Sequence, residues 1–314
     1  MSKMDLFMCW ADTDPFYQEY FPDCNIQISL SNVPLSWNIK RFPVLPAKIM
    51  LDSGAYSLIN NPHKKLNPVA IFEQQIRIAE GSTIPTILCH LDVPLLPGMD
   101  DTLEIYHHLE TTILNAHQFM EHYRSAHLPP NFKSLGVIQG NNYDTISFCA
   151  RELQRIGFDQ LGIGSLAALY DTKSIVERVG YAIHCAGSNL HVFGVSAPET
   201  VAQLRSMGIR SFDSSTPMKT AMYNTVLYSH PLRRYGLPGS AVQRNLTCLD
   251  KPLPCDCPIC TKDPTLIMGV GSKKANNMRA IHNYYHWRKE LLDEVASVPK
   301  PVHYNTGKEV APSS

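Results

Sequence analysis

The sequence predicts an α/β protein built as a (β/α)8 TIM-like barrel, and two observations support this fold class. Short apolar segments rich in β-branched residues alternate with longer helical patterns, and eight such units occupy about 210 of the 314 residues. Continuous apolar strands are typical of parallel sheets that are covered on both faces. An open doubly wound sheet is the alternative, but no Gly-x-Gly-x-x-Gly turn follows the first strand. The eight units therefore favour closure into a barrel.

The predicted elements follow one another along the chain. The strands are 5–10, 25–30, 48–52, 86–92, 134–139, 160–164, 190–195 and 210–213. The helices are 68–81, 100–127, 143–156, 171–185 and 198–207. Pro68 and Gly81 illustrate the helix signals, because proline is favoured in a first turn and glycine often follows the last apolar residue.

Composition and cysteine usage indicate a globular protein of a reducing compartment. The apolar content is 44 %, and no segment approaches the roughly 18 apolar residues of a membrane span. The N-terminus has no signal-peptide pattern. Nine cysteines, an odd number with three of them clustered, argue against a disulfide framework. We therefore expect a cytoplasmic protein with no membrane partner.

A cysteine cluster near the C-terminus predicts a structural zinc site. Cys255, Cys257 and Cys260 lie within six residues, and zinc in structural sites takes four tetrahedral nitrogen or sulfur ligands. His282, in a predicted helix, is the best candidate for the fourth ligand. His286 lies one turn later on the same face and is the alternative. A closed set of four ligands leaves no open position for water, so this zinc would be structural rather than catalytic.

The zinc site divides the predicted chain into four parts. These are a barrel core (1–216), a zinc-binding subdomain (217–274), a C-terminal helix that completes the barrel and the zinc site (275–298), and a disordered tail (299–314). The segment 217–289 carries eleven basic and three acidic residues, a net charge of +8 in a chain of zero net charge. This asymmetry suggests a polyanionic partner, whereas a solvated face that balances an acidic barrel is the alternative.

Polar residues stand where several predicted strands end, and the C-terminal ends of barrel strands carry the catalytic groups of this fold. They are Asp52, Asp92, Gln139, Gly164, Ser165 and Asp213. A single strand-end aspartate is often a helix N-cap, but several at one rim predict an active site. In glycosyl chemistry one carboxylate attacks the anomeric carbon and another transfers the proton of the leaving group. The remaining polar groups could read the edge of a base.

Several of these segments together resemble the tRNA-guanine transglycosylase superfamily over roughly residues 45–295. They are Leu-Asp-Ser-Gly-Ala-Tyr (51–56), Gly-Val-Ile-Gln-Gly (136–140), Ile-Gly-Ser-Leu-Ala (163–167), Phe-Gly-Val (193–195), Phe-Asp (212–213) and the cysteine cluster followed by His-Asn (282–283). The zinc set after the eighth strand is the most specific of them. The His-Asn pair matches the family's ligand histidine, which favours His282 over His286.

The resemblance implies a barrel that exchanges guanine for a 7-deazaguanine without breaking the nucleic acid strand. Asp213 occupies the position of the nucleophile that bonds to C1′ of the sugar, and Asp52 that of the general acid and base. The positions implied for base recognition and the pocket wall are Asp92, Gln139, Gly164, Ser165, Phe193 and Gly194. Retention of the sugar configuration requires two displacements, and the target base must leave its stack to reach the barrel mouth.

Departures from the pattern of the tRNA enzymes favour DNA as the nucleic acid. Ala55 and Ser57 replace a glycine and a glutamine, Ser165 replaces a glycine, and 214–219 replaces an arginine-rich loop. These features look more like the DpdA-type DNA enzymes, which implies a bacterial cell or a phage-infected host and accessory modification-cluster proteins as further partners. The alternatives are a tRNA enzyme, a non-catalytic zinc-stabilised nucleic-acid-binding subunit, and an unrelated barrel enzyme.

Overall fold

Eight parallel strands close into a barrel in a computed structural model of the chain, which describes residues 4–57, 66–96, 98–169, 171–238 and 246–292. Each strand pairs with the next one along the chain, and the eighth pairs with the first. The strands are β1 (Asp5–Trp10), β2 (Asn25–Ser29), β3 (Lys48–Asp52), β4 (Thr86–Cys89), β5 (Phe132–Ile138), β6 (Gln160–Ile163), β7 (Leu190–Val192) and β8 (Ser211–Ser214). The predicted fold class is confirmed.

Five α-helices pack outside β3 to β8. They are α1 (Pro68–Ile78), α2 (Thr102–Ser125), α3 (Tyr143–Ile156), α4 (Thr172–Ala186) and α5 (Pro198–Ser206). The side chains of Asn67, Asp101, Asn142 and Asp171 accept hydrogen bonds from the first-turn N–H groups of α1 to α4, which satisfies donors that a helix start leaves free.

The first two strand connections differ from the regular pattern. Residues 11–24 and 30–47, all of them described, hold only short 3-10 turns (Tyr17–Glu19, Leu30–Asn32 and Ile39–Arg41) and no α-helix. Prolines at 34, 43 and 46 explain this for the second connection, because proline removes a backbone donor and interrupts a helix. The wall of the barrel beside β1 and β2 is therefore left for another element to cover.

The chain continues after β8 into an appended module. A short helix, α6 (Thr216–Met222), leads to a three-stranded sheet of β9 (Thr225–Tyr228), β10 (Arg233–Gly236) and β11 (Thr247–Cys248). A 3-10 turn (Pro264–Ile267) and a long helix, α7 (Lys273–Leu292), follow. The small sheet was not among the predicted elements. None of the described helices is long and apolar enough to cross a membrane.

Helix α7 lies against the outside of the barrel and covers the wall that the first connections leave open. Its Trp287 ring lies 6.1 Å from the ring of Phe212 on β8, and its Tyr284 ring lies 5.2 and 5.0 Å from Tyr17 and Phe21. Residues 293–314, which include the end of the predicted helix and the predicted tail, lie outside the described residues.

The barrel interior is apolar toward the N-terminal ends of the strands and polar toward their C-terminal ends. Side chains alternate along a strand, so every second residue points inward. Those of the lower interior form a buried cluster of Phe7, Met50, Ile87, Cys89, Leu135 and Val137. The inward positions beyond this cluster, toward the C-terminal ends of the strands, carry carboxylates, amides and a thiol, and they form the candidate site.

Candidate active site and metal centre

Asp213 sits on β8 with each of its two carboxylate oxygens in a different environment. Oδ1 accepts a hydrogen bond from the Gly194 N–H at 2.9 Å and lies 3.2 Å from Nε2 of His191. Oδ2 accepts from the Cys9 thiol at 3.1 Å. The side chain is almost fully buried, with 5 % of the residue exposed. Three donors, one on β1 and two at the end of β7, therefore fix the carboxylate and stabilise its negative charge.

The tautomer of His191 follows from its two neighbours. Its Nδ1 lies 2.9 Å from the Ser211 hydroxyl, and its Nε2 faces the Asp213 carboxylate. An unprotonated Nε2 would place two acceptors against each other, whereas the Ser211 hydroxyl can donate to Nδ1. Nε2 therefore carries the proton and donates a hydrogen bond to Asp213.

Two further carboxylates face the same space, and their charges influence one another. Burial, together with the charge of Asp213, raises the pKa of Asp52 to about 6, although hydrogen bonds from Ser29 and the Gly54 N–H oppose the shift. Burial likewise raises the pKa of Asp92 to about 7, with a further contribution from the charge of Asp52. Near neutral pH these carboxyl groups are poised to exchange protons. The structure thus brings the three sequence-predicted aspartates together.

Gln139 and Ser165 extend the ring of polar groups by a directed chain of hydrogen bonds. The Leu95 N–H donates to the Ser165 hydroxyl at 2.9 Å, and this hydroxyl donates to Gln139 Oε1 at 2.6 Å. Gln139 Nε2 then donates to Asp92 Oδ2 at 2.5 Å. Because the Asp92 carboxylate accepts, the amide nitrogen of Gln139 must face it, which leaves Oε1 to face the Ser165 hydroxyl. The Asp92 carboxylate also takes a hydrogen bond from Ser53, which joins this chain to the segment after β3.

Two glycines at this rim are required by close contacts. A Cβ at Gly164 would lie 2.4 Å from Gln139 Nε2, so only glycine leaves room for the amide. Gly194 has a φ of +72°, which L side chains rarely adopt, and this conformation directs its N–H at Asp213. The same turn ends β7 after Val192, earlier than predicted. Phe193, beside it, packs edge-on to His191 at 4.4 Å and against the apolar interior.

The sequence analysis missed two residues of this site, Cys9 and His191. Both point inward, but neither stands at the end of its strand, where the candidates were sought. Alternation supplies a signal for His191: it lies at an inward position on β7, in register with Ser211 on β8, two residues before Asp213. For Cys9, which lies on β1, the strand adjacent to β8, a comparable signal exists only after the closure of the barrel is known.

The predicted metal cluster is assembled by the appended module. One potential ligand atom from each of Cys255, Cys257, Cys260 and His282 lies within 4.8 Å of all the others. The backbone N–H groups of Cys257 and Cys260 donate to the Cys255 and Cys257 sulfurs at 3.3 Å each, which stabilises thiolates. The donor set and its compactness fit a structural zinc ion.

The structure also separates the two candidate histidines. His282 Nε2 lies 2.9 Å from the Leu227 carbonyl and donates to it, which leaves Nδ1 to face the three sulfurs. His286 is oriented differently: its Nδ1 accepts from the Ser229 N–H at 3.1 Å, so its Nε2 is protonated and donates to Cys255 Sγ at 3.1 Å. His282 is therefore placed as a ligand and His286 as a hydrogen-bond donor to a ligand.

Helix α7 ties the metal cluster to the segment that follows Asp213. The Asn283 amide donates to the Thr225 carbonyl at 2.9 Å and accepts from the Leu227 N–H at 2.9 Å. Arg279 is fully buried and donates to the carbonyls of Ala221, Ile267 and Gly269 and to two asparagine side chains. Metal binding should therefore stabilise the position of the chain immediately after β8.

The basic segment 217–289 is only partly a charged surface. Arg279 is buried, and Arg288 forms an ion pair with Asp23. Among the described residues of the segment, the exposed basic ones are Lys219, Arg233, Arg234, Lys251, Lys262, Lys273 and Lys274. Lys219 is close enough to the mouth for its charge to act on the Cys9 thiol. Positive charge thus lies near the active-site rim, where a phosphate backbone could be bound.

The fold and the site define a (β/α)8-barrel protein with a carboxylate-lined mouth and an appended metal module. The family model described as "Queuine tRNA-ribosyltransferase" matches residues 35–295. The chain belongs to this family. This result confirms the superfamily that the sequence motifs indicated.

Individual relatives are distant in sequence. The chain is 28 % identical to the tRNA-guanine(15) transglycosylase of Korarchaeum cryptofilum over 244 residues, which cover 76 % of this chain and 38 % of the relative. It is 26 % identical to the enzyme of the same name from Pyrobaculum aerophilum over 82 % of this chain and 48 % of the relative. The Queuine tRNA-ribosyltransferase of Helicobacter acinonychis is 26 % identical over 38 % of this chain and 34 % of the relative. The chain spans less than half the length of each of these three relatives.

Proposed function

We propose that the chain is a pentosyltransferase that exchanges guanine in a nucleic acid for a 7-deazaguanine base. The observation that carries this proposal is the pairing of Asp213, fixed by three donors, with Asp52, whose pKa is about 6. A held carboxylate beside a carboxyl group that titrates near neutrality suits a nucleophile and a general acid. Family membership supports the same reaction class.

The proposed reaction has two displacements at C1′ of the target nucleotide. In the first, an Asp213 oxygen forms a bond to C1′ while the C1′–N9 bond breaks, and guanine leaves with a proton from Asp52. In the second, N9 of the incoming 7-deazaguanine attacks C1′ and gives its proton to the Asp52 carboxylate. The Asp213 ester breaks and the free carboxylate returns. Two inversions retain the sugar configuration, and the strand is never cut.

The polar relay beyond Asp52 supports a role in base recognition. Gln139 has a second N–H next to the Asp92 carboxylate, and guanine and its 7-deaza analogues present a carbonyl next to an N–H on the same edge. Adenine presents the opposite order and would place donor against donor. We assign Asp92 and Gln139 to this edge, the backbone of Gly164 and Ser165 to its flank, and Phe193 and Gly194 to the pocket wall.

For the nucleic acid we propose DNA. The support is the segment after Asp213. The tRNA enzymes that this chain resembles have an arginine-rich loop there, whereas this chain has the short helix α6, in which the exposed Lys219 is the basic residue. tRNA is the second candidate, and the names of the relatives favour it. Accessory proteins and a cellular or phage-infected setting follow from the DNA proposal and carry no separate support.

The experiment compares the two substrates directly. Radiolabelled 7-cyano-7-deazaguanine is incubated with the protein and either duplex DNA or tRNA, with Asp213→Ala as the inactive control. Label in DNA alone would support the proposal, and label in tRNA alone would make the chain a tRNA enzyme. Binding to either nucleic acid without label, in a zinc-loaded preparation, would favour the non-catalytic subunit instead.

A further inference from the structure

Cys9 is the one thiol in direct contact with the proposed nucleophile among the described residues, and the reaction above gives it no role. It lies on β1, the neighbour of β8, and its Sγ is 3.1 Å from Asp213 Oδ2. A second polar neighbour, Gln27 Oε1, is 3.8 Å away. Cys9 as a residue is intermediate in exposure.

The two oxygens of Asp213 differ in how strongly they are held. Oδ1 is bound by the Gly194 N–H and by His191, two nitrogen donors on one segment of backbone. Oδ2 has only the thiol, which is a weak donor. An oxygen that accepts two N–H bonds has its lone pairs engaged, whereas the other can form a new bond at the cost of one weak contact.

We propose that Oδ2 of Asp213 is the oxygen that bonds to C1′, and that Cys9 is a positioning residue that orients this oxygen toward the sugar. The inference rests on the proposed function and adds an atom and a residue to it. As Oδ2 attacks, the thiol hydrogen bond is released and the thiol keeps its proton. Oδ1 stays on its two N–H donors and becomes the carbonyl oxygen of the ester. The thiol hydrogen bond forms again when the ester breaks.

Burial, then the nearby Asp213 charge, raises the pKa of the Cys9 thiol well above its ordinary value, so the thiol remains a donor throughout the working pH range. The titratable and charged groups that face Asp213 and Cys9 are His191 from β7, Asp52 from β3, Cys89 from β4 and Lys219 from α6. None of these groups lies in or beside the metal cluster. A change at Cys9 therefore acts on Asp213 and not through the metal.

Three substitutions separate hydrogen bonding from space filling. Cys9→Ser keeps a donor, Cys9→Val keeps the bulk without a donor, and Cys9→Ala keeps neither. The readouts are the single-turnover rate of covalent adduct formation, its pH dependence and the KM for the base. We expect Cys9→Ala and Cys9→Val to lower the rate about tenfold, to move the acid limb to higher pH and to leave the KM unchanged. Cys9→Ser should recover the rate to within about threefold.

Other results would overturn the role of Cys9. If Cys9→Val matched the wild type and Cys9→Ser did not, the thiol would only fill space. Equal rates and equal pH limbs in all three variants would also exclude a positioning role. A structure of the trapped adduct tests the oxygen itself: the ester bond should lie on the Cys9 side, with the carbonyl oxygen still bound to the Gly194 N–H. The reverse arrangement would refute the assignment.

A measurement without nucleic acid separates this inference from the proposed function. Alkylation of Cys9 by iodoacetamide at pH 8.5, located by peptide mass spectrometry, should be several-fold faster in Asp213→Asn, because the charge that disfavours the thiolate is gone. The exposed-site variant Asp100→Asn should leave it unchanged. An unchanged rate in Asp213→Asn would refute the contact. This acceleration, together with no adduct in the wild type, would overturn the proposed function and the Oδ2 assignment but not the contact.

Discussion

The ionised side chain of Asp92 should lower the stability of the folded protein. Its folded-state pKa is about 7, against an ordinary value of 3.8, chiefly because it is buried. The folded protein therefore binds the proton more tightly than the unfolded chain, and stability falls as the pH rises from about 4 to 7. At about 1.4 kcal/mol for each pH unit between those values, the cost at pH 8 is about 4 kcal/mol, and at pH 5 about 1.5 kcal/mol.

The variant Asp92→Asn removes this pH-dependent cost, because an amide stays neutral at every pH. Its oxygen can still accept the Gln139 hydrogen bond, although the hydrogen bond from Ser53 is at risk. Any such loss contributes equally at both pH values. We therefore expect the difference in free energy of unfolding, variant minus wild type, to be larger at pH 8 than at pH 5 by about 2.5 kcal/mol.

Urea unfolding at pH 5 and pH 8 measures this difference, with Asp100→Asn, at an exposed site, as the control. The control should show the same offset at both pH values. If Asp92→Asn gave an offset independent of pH, or one larger at pH 5, Asp92 would not be a buried carboxyl group with a raised pKa. The interpretation that the carboxyl groups of the site exchange protons near neutral pH would then be wrong as well. The same variant should lose base exchange while gaining stability.

Three other predictions test the relay, the metal centre and the surface. Ser165→Ala should lower the free energy of unfolding by about 2 kcal/mol in urea, because Gln139 Oε1 and the Leu95 N–H both lose a partner; a change below about 0.5 kcal/mol would contradict the relay. His282→Gln should abolish stoichiometric zinc by metal analysis, whereas His286→Gln should retain it with lower thermal stability; the opposite pattern would exchange their roles. Binding to nucleic acid should weaken steeply with salt, and a flat dependence would leave the exposed basic residues as a solvated face.

Much of the fold could be predicted because the strands of a barrel have a recognisable sequence pattern. β1 and β3 have the predicted bounds, and Tyr143–Ile156 is the predicted helix, since buried parallel strands and capped amphipathic helices carry local patterns. The first two connections, for which the sequence predicted no helix, contain none in residues 11–24 and 30–47. There, the missing helices are replaced by α7, which comes from the far end of the sequence. A C-terminal helix that completes the barrel was predicted, but no local pattern encodes which wall it covers.

The carboxylates of the site could be predicted from the sequence, but the hydrogen bonds that connect its residues could not. Asp52, Asp92 and Asp213 stand at strand ends, where the fold places chemistry, and they converge as predicted. Ser165 illustrates what sequence could not show. Its hydroxyl is used between Leu95 and Gln139 and is not free for a base, which depends on the close approach of loops far apart in the chain.

The choice between His282 and His286 shows the same limit for the metal centre. Both lie on one helix face, within reach of the cysteines, and helical spacing alone does not separate them. The separation comes from Leu227 and Ser229, which fix opposite ring nitrogens. Those partners belong to the unpredicted strand β9 and the residue just beyond it. Ligand choice here depends on the neighbours of the ligands and not on their spacing.

We propose above that Asp213 forms a covalent bond to the nucleic acid. The most direct measurement incubates the protein with guanine-containing DNA or tRNA in the absence of an acceptor base, denatures it, and maps any adduct by peptide mass spectrometry. We expect an adduct on the peptide that contains Asp213 in the wild type, and none in Asp213→Asn. An adduct that persists in Asp213→Asn or maps to another peptide, or no adduct with either nucleic acid, would contradict it.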